Sequence, residues 1–243
     1  MNLSTVTICR NETTIITQLL DCLVMLKPAE SIFVDDDSTD DTIEIIQSYR
    51  DRLNVKVFTH SLESYGEQRN LALEKVTGDY ILTLDADETI SKNILELMHS
   101  IDTDKFWGKF LGFSFPTLDM VSKDHYHNTA RLQPHVRLWK KDKNIRYIRE
   151  VHEYLVYFIG GNFYDLNISR PGIPSVYLDE VAVLHWHLFK SDVILLDKGK
   201  RFFDKFGKAS GAMGLPMPDA KHFVRCKKIY LTRVGQLIKD SWR

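Results

Sequence analysis

The feature that most restricts the fold is a regular alternation over the first hundred residues. Short β-branched and apolar runs, each stopped by polar or acidic residues, take turns with stretches of helical spacing. Val6-Thr7-Ile8-Cys9 precedes a helical stretch at residues 12–25, and Ser31-Ile32-Phe33-Val34 runs into Asp35-Asp36-Asp37. A second helix is predicted over residues 38–49, where Ser, Thr and Asp are available to cap the first turn and Ile43, Ile45 and Ile46 supply apolar side chains. Residues 53–59 read as a third strand, 67–76 as a third helix and 80–84 as a fourth strand stopped by Asp85. Strands and helices in strict alternation imply a mostly parallel sheet covered by helices. Such sheets bind ligands at the carboxyl ends of their strands, where Asp36 and Asp85 fall.

After a further helix at residues 91–101 the pattern loosens. Segments 110–118, 135–139 and 181–187 are strand-like, and from residue 191 two helices flank a Gly- and Pro-bearing connector at 207–218. With 243 residues, 44% of them apolar, the chain can bury one large α/β domain over residues 1–190, a first half of 1–100 and a second of 101–190. Residues 191–243 form a basic helical C-terminal extension. The formal charge of -1 hides this asymmetry: residues 198–243 carry twelve Lys and Arg against three Asp, about +9, which leaves about -10 for the rest. A basic tail suits an anionic neighbour such as a membrane surface, a phosphorylated acceptor or a nucleic acid, and equally a solvated helix face with no partner. Cys9, Cys22 and Cys226 lack the close pairing of a disulfide framework or zinc site, which points to a reducing compartment, the cytoplasm. No run approaches the roughly 18 apolar residues of a membrane span, so any membrane contact is expected to be peripheral.

The chemistry concentrates in Tyr80-Ile81-Leu82-Thr83-Leu84-Asp85-Ala86-Asp87, an apolar strand ending in two carboxylates one residue apart. Hard divalent cations prefer such oxygens, and bound Mn2+ or Mg2+ would neutralise a diphosphate. Taken alone, the pair serves as well to cap a helix. Three further patterns accompany it in fixed order. Val6 to Asn11 is a strand ending in a polar turn, and Phe33 to Thr42 is a strand ending in carboxylates. Tyr65-Gly66-Glu67-Gln68-Arg69-Asn70 then opens a helix.

This succession, with Gly78-Asp79-Tyr80 leading into Asp85-Ala86-Asp87, resembles the inverting family 2 glycosyltransferases of the GT-A fold over residues 3 to 95. The resemblance implies a Rossmann-like, mostly parallel mixed sheet flanked by helices and a nucleoside diphosphate sugar as donor, the base being uracil. It places Thr7, Arg10, Asn11 and Glu12 in the nucleotide pocket, with Asp36 accepting from a base N–H. Arg69 and Asn70 would stand on the nucleotide and diphosphate side, Asp85 would face the ribose and metal, Ala86 would belong to the nucleotide-sugar site, and Asp87 would ligate the metal directly. The chain departs from the commoner family pattern at Asp37 and Asp41, where relatives frequently carry glycine.

The second half is similar, more loosely, to members that extend lipopolysaccharide cores, through Val136-Arg137-Leu138-Trp139, residues 147–150, Val151-His152-Glu153 and Leu184-His185-Trp186-His187. An inverting transfer needs a base for the acceptor hydroxyl. Glu153 is the candidate and His152 the alternative, against a purely structural tie between loops. His185 is the candidate third metal ligand, sharing a strand face with His187, whereas His125 and His127 read as a surface loop. The acceptor is expected to be a glycan, with protein and nucleic acid open. Two other functions stay in view: a haloacid-dehalogenase-type phosphatase with Asp85 as nucleophile, and an inactive nucleotide-sugar-binding module.

Overall fold

The alternation of the first hundred residues becomes β1 (Leu3–Cys9), α1 (Ile16–Leu26), β2 (Glu30–Asp35), α2 (Thr42–Gln47), β3 (Val55–Thr59), α3 (Tyr65–Lys75), β4 (Tyr80–Thr83), β5 (Glu88–Ile90) and α4 (Lys92–Ser100). There follow β6 (Gly112–Phe115), β7 (Thr117–Ser122), β8 (His125–Tyr126), β9 (His135–Lys140), β10 (Ile145–Ile148), β11 (Tyr154–Ile159), β12 (Asn162–Asp165), β13 (Ser175–Tyr177) and β14 (Val183–His185). This computed structural model describes residues 2–100, 107–122, 125–126, 135–179, 181–186 and 189–190. The helices expected from residue 191, the basic tail, His127 and His187 lie outside them.

A seven-stranded sheet in the order β13-β6-β9-β4-β1-β2-β3 forms the centre. β1 is parallel to β2 and β4, and β2 to β3, as expected, while β9 runs antiparallel between β4 and β6. The sheet is mixed and mostly parallel, with helices on both faces. Its middle strands are buried on both sides, so successive residues feed two cores. In β2, Ile32 and Val34 pack with Ala72 and Val76 from the α3 region, whereas Phe33 packs with Leu19 and Leu23 of α1. On α1, Ile16, Leu19, Leu20 and Leu23 are fully buried at helical spacing, each contributing roughly 1.5–3 kcal/mol. The helix stops where Lys27 enters the left-handed region and its N–H reaches Leu23 O at 2.9 Å, and Pro28 bars a further turn.

Three departures from the sequence expectations matter. The helix expected over 38–49 shrinks to α2, because Asp35 accepts from Ser38 N at 2.8 Å and Asp40 from Thr42 N at 3.1 Å, which makes 38–41 a turn. The strand expected over 110–118 breaks at Pro116, which has no N–H to give a ladder. β6 stays in the central sheet, whereas β7 joins a second sheet ordered β5-β14-β7-β8, which turns His125 from a loop residue into part of a short strand. Finally, β10-β11-β12 form a third, antiparallel sheet whose β11–β12 hairpin turns on Gly160 and Gly161, both at positive φ as a two-residue primed turn demands.

Candidate functional site

Strand β4 ends at Thr83, and the chain turns through Asp85-Ala86-Asp87 into β5. Asp85 N donates to Glu88 Oε2 at 2.9 Å and Glu88 N to Asp85 O at 2.9 Å, so the turn closes on itself. Arg69 reaches it from α3, whose N-terminus is capped by Ser64 Oγ accepting from Glu67 N. Arg69 Nη2 donates to Asp85 Oδ1 at 2.7 Å and Nε to Glu153 Oε1 at 2.6 Å. One buried guanidinium thus joins two carboxylates that lie far apart in the chain. Its Nη1 is buried with no hydrogen-bond partner among the described residues, an orphan donor of the kind a ligand oxygen satisfies. Burial opposes ionisation of Asp85, but the Arg69 charge, and then that of Arg137, outweigh it and hold the carboxyl down to about 2. Arg137 on β9 donates to Glu88 Oε1 at 2.5 Å. Burial and the Asp85 charge raise the Glu88 pKa, even against the pull of Arg137.

Asp87 lies two residues on, buried, in the mouth of the second sheet. In that sheet β14 pairs with β5 and β7, which sets His185 opposite Glu88 on one side and Asp119 on the other. His185 Nδ1 is 2.7 Å from Asp119 Oδ1, and its Nε2 is 3.6 Å from Asp87 Oδ2. Burial would lower the His185 pKa, yet the bonds to Asp119 and Asp87 raise it to about 10. Lys190 adds a second cation, with Nζ 2.7 Å from both Glu12 oxygens and 2.8 Å from Asp87 Oδ2.

Asp87 offers the carboxylate oxygen that Mn2+ or Mg2+ prefers, and His185, whose ring must first lose its proton, an imidazole acceptable to Mn2+. No three His, Cys, Asp or Glu among the described residues stand close enough to hold a metal unaided, however. Of the expected metal residues, Asp85 turns to Arg69, while Asp87 and His185 face each other.

The β1 and β2 ends form the other wall. Asp36 N bonds Cys9 O at 2.9 Å, Asp36 Oδ1 accepts from Leu62 N at 2.9 Å, and the Arg10 guanidinium lies against both the carbonyl and the carboxylate of Asp36. Nearby, Asp40 Oδ1 accepts from Thr42 N at the start of α2, while Asp35 fastens Ser38. Asp37 sits at φ 49, a left-handed position that glycine takes freely and Asp tolerates. Asn11 ties the two loops together, its N–H donating to Ser38 Oγ and its Oδ1 accepting from Thr39 N at 2.8 Å. Glu12 is engaged by Lys190. The side chains of Thr7 and Ala86 are buried, at 1% and 3% exposure, and Ala86 packs in a hydrophobic cluster.

α3 also fixes the segment bearing Glu153. Asn70 donates to Tyr147 O at 2.9 Å and accepts from Tyr147 N at 2.8 Å, so its amide clamps β10, where a place on the nucleotide wall was expected. Tyr65 N donates to Glu150 O at 2.9 Å. Gly66 faces this loop so closely that a Cβ there would lie 2.5 Å from Arg149 O. Within the loop Arg149 and His152 have φ of 77 and 52, a strained turn of the sort that collects at functional sites. It leaves His152 exposed and Glu153 turned inward onto Arg69.

Sequence reasoning missed Lys190, Asp119, Arg137 and Glu88. Asp119, an acid between Leu118 and Met120 on an alternating strand, carried a readable signal, and Glu88 directly extends the acidic turn. Lys190 carried none, since it meets Glu12 across 178 positions.

Comparison with known proteins adds an independent line. Residues 4–164 match the family described as Glycosyl transferase family 2. Poly(ribitol-phosphate) beta-N-acetylglucosaminyltransferase TarS of Staphylococcus aureus is 35% identical over 102 residues, 40% of this chain and 18% of TarS. The lipopolysaccharide core biosynthesis glycosyltransferase LpsC of Rhizobium meliloti is 32% identical over 97 residues, 40% of this chain and 35% of LpsC. The chain therefore spans well under half the length of either relative. Among solved structures, an S. aureus TarS fragment in complex with UDP-GlcNAc matches with a TM-score of 0.55 at 20% identity, over 82% of this chain and 64% of that one. The mannosyltransferase PcManGT of Pyrobaculum calidifontis in complex with GDP-Man and Mn2+ gives 0.52 at 14% identity, over 99% and 73%. At those identities the likeness is one of fold.

Proposed function

The chain belongs to glycosyl transferase family 2, and on that premise we propose that it is an inverting glycosyltransferase, moving a sugar from a nucleoside diphosphate to a hydroxyl of a glycan acceptor with the help of Mn2+ or Mg2+. The observation that carries the reading is Arg69, which holds Asp85 at 2.7 Å and Glu153 at 2.6 Å while its Nη1 has no partner among the described residues. A donor-side carboxylate and a candidate base are thereby tied to one cation that has a hydrogen bond left for a phosphate oxygen.

In this reading Asp36 and Arg10 meet the base, uracil by family analogy, and Asp85 the ribose. The Asp87 and His185 pair suits a cation that completes its coordination with diphosphate and water oxygens, and that cation would supply charge neutralisation of the leaving group. Arg69 adds a fixed positive charge at the same place, where preorganised donors act most strongly. Glu153 takes the proton of the acceptor hydroxyl as oxygen attacks the anomeric carbon from the face opposite the diphosphate. The C1–O bond to the diphosphate breaks as the new one forms, so configuration inverts without a covalent enzyme intermediate. TarS and LpsC are named for a polyol-phosphate polymer and a lipopolysaccharide, and these names favour a cell-surface glycan or polyol as acceptor here.

Isothermal titration with UDP, GDP and their sugars, with and without Mn2+, tests the proposal. Binding of one nucleotide that strengthens with Mn2+ and weakens at least about tenfold in Asp87→Ala is the expected result. Absence of nucleotide binding under every metal condition would sink the transferase reading.

A further inference from the structure

The proposed mechanism gives Lys190 of the Asp87 cluster no part, and its placement is unusual for a lysine. Its side chain is wholly buried, with Nζ 2.7 Å from both oxygens of Glu12 and 2.8 Å from Asp87 Oδ2. Lysine is rarely buried unless paired, and here two carboxylates of low exposure surround it. The backbone holds it there. Trp186 N donates to Asp87 O at 2.8 Å, buried Trp186 Nε1 to Thr89 Oγ1 at 2.9 Å, and Phe189 N to Trp186 O at 2.9 Å, so the chain that follows β14 is docked on the acidic turn itself. The ammonium is therefore delivered to Asp87 by the fold and does not swing in from solvent.

Asp87 Oδ2, the oxygen that a divalent cation would seek, already carries this charge. A second cation a few ångströms from a buried ammonium meets strong repulsion, because little water intervenes to screen it. A diphosphate arriving with the cation reverses that balance, since its negative oxygens can face both positive charges at once. Resting on the reading of this turn as the diphosphate and cation site, we propose that Lys190 is a built-in competitor for the metal, which keeps Asp87 closed to a free divalent ion and open to one complexed with a nucleoside diphosphate. Glu12 then acts as the clamp that positions Lys190. Lys190 is in this sense a specificity residue: it selects the metal–nucleotide complex over the metal alone.

Electron paramagnetic resonance of Mn2+ reads this without any transfer assay. Four forms of the full chain are titrated with Mn2+ alone, with Mn2+ and UDP, and with Mn2+ and GDP: wild type, Lys190→Met, the charge-matched pair Glu12→Gln with Lys190→Met, and Lys190→Met with Asp87→Asn. The charge-matched pair guards against loss of fold from an uncompensated Glu12. Wild type is expected to bind Mn2+ weakly alone and well with one nucleotide. Lys190→Met and the matched pair should bind Mn2+ alone about tenfold or more tightly than wild type, and Asp87→Asn should remove the gain. If both Lys190 variants bind Mn2+ alone no better than wild type while the nucleotide effect persists, the competitor role is wrong and the transferase site stands. If no form binds Mn2+ even with nucleotide, the metal-dependent reading falls and the inference with it.

Discussion

Gly66→Ala separates a packing role for α3 from a catalytic one, because the sign of its effect is diagnostic. Gly66 lies in the first turn of α3 and is buried. In a helix without neighbours, alanine would be favoured over glycine by about 1 kcal/mol. Here the new Cβ would stand 2.5 Å from the carbonyl oxygen of Arg149, against an ordinary C···O contact of about 3.3 Å. The obstacle is backbone, in a residue at φ 77, so it has no rotamer through which to escape. The loop must retreat by about 0.8 Å, taking with it the Tyr65 N to Glu150 O bond and, three residues on, Glu153. Overpacking of this kind costs roughly 1–3 kcal/mol, so urea denaturation should show destabilisation where helix propensity alone predicts the opposite. Displacement of a candidate base by most of an ångström should reduce turnover of the sugar nucleotide by about a hundredfold. Nucleotide affinity should hold, because Asp36 and Arg10 stand on other strands. A variant that is more stable than wild type and equally active would refute the reasoning.

Two further outcomes follow from the same geometry. Arg69→Lys cannot span Asp85 and Glu153 with a single ammonium, so turnover should fall by about a hundredfold or more while the fold persists in circular dichroism; undiminished turnover would remove Arg69 from the site. Glu30 is 2% exposed and accepts from Ser4 Oγ, Lys56 Nζ and Thr77 N, each at 2.6 Å; burial would raise its pKa, but these bonds outweigh it and lower it from 4.5 to about 2. A pKa depressed by folding stabilises fully above the unfolded value, so about 3 kcal/mol present at neutral pH should be lost as pH falls from about 4.5 to about 2. Urea midpoints between pH 7 and pH 3 should fall more steeply for wild type than for Glu30→Gln, and parallel curves would contradict the assignment.

The first hundred residues were legible because their signals are local. Each strand of the first hundred residues ends in the residues that the sheet then presents, so Asp36, Asp85 and Asp87 could be read from strand ends, and Arg69 from the opening of a helix. The second half was less legible because its placements are set by pairing at long range. The break at Pro116 was visible as a proline, but where β7 goes afterwards depends on β5 and β14, and neither is marked by its own few residues. The tie from Asn70 to β10 was not legible for a related reason: beside Arg69 on the helix, Asn70 looked like part of the same wall. Residues one apart on a helix point about 100° from each other, and Asn70 meets the β10 backbone. The Gly160-Gly161 turn carried a standard hairpin signal that the irregular surroundings masked.

The Pro116 break also explains why the site needs two sheets. If residues 110–122 continued as one strand, Asp119 would lie in the central sheet beside β9 or beyond its end, and β14 would have no parallel partner next to β5. Because β7 leaves at Pro116, β14 fits between β5 and β7 with Val183 opposite Ile90 and Thr117. That register sets His185 between Glu88 and Asp119, and the chain leaving β14 at once meets the acidic turn through Trp186 and Lys190. The acidic turn is thereby gripped from both flanks, by Arg69 and Arg137 at Asp85 and Glu88, and by His185 and Lys190 at Asp87. Three buried carboxyl groups, Glu12, Asp87 and Glu88, with half-buried Asp85 beside them, could not gather there without those cations, since desolvated like charges repel strongly. The second sheet is thus what allows an acidic strand end to remain buried and poised for a ligand that carries charges of its own.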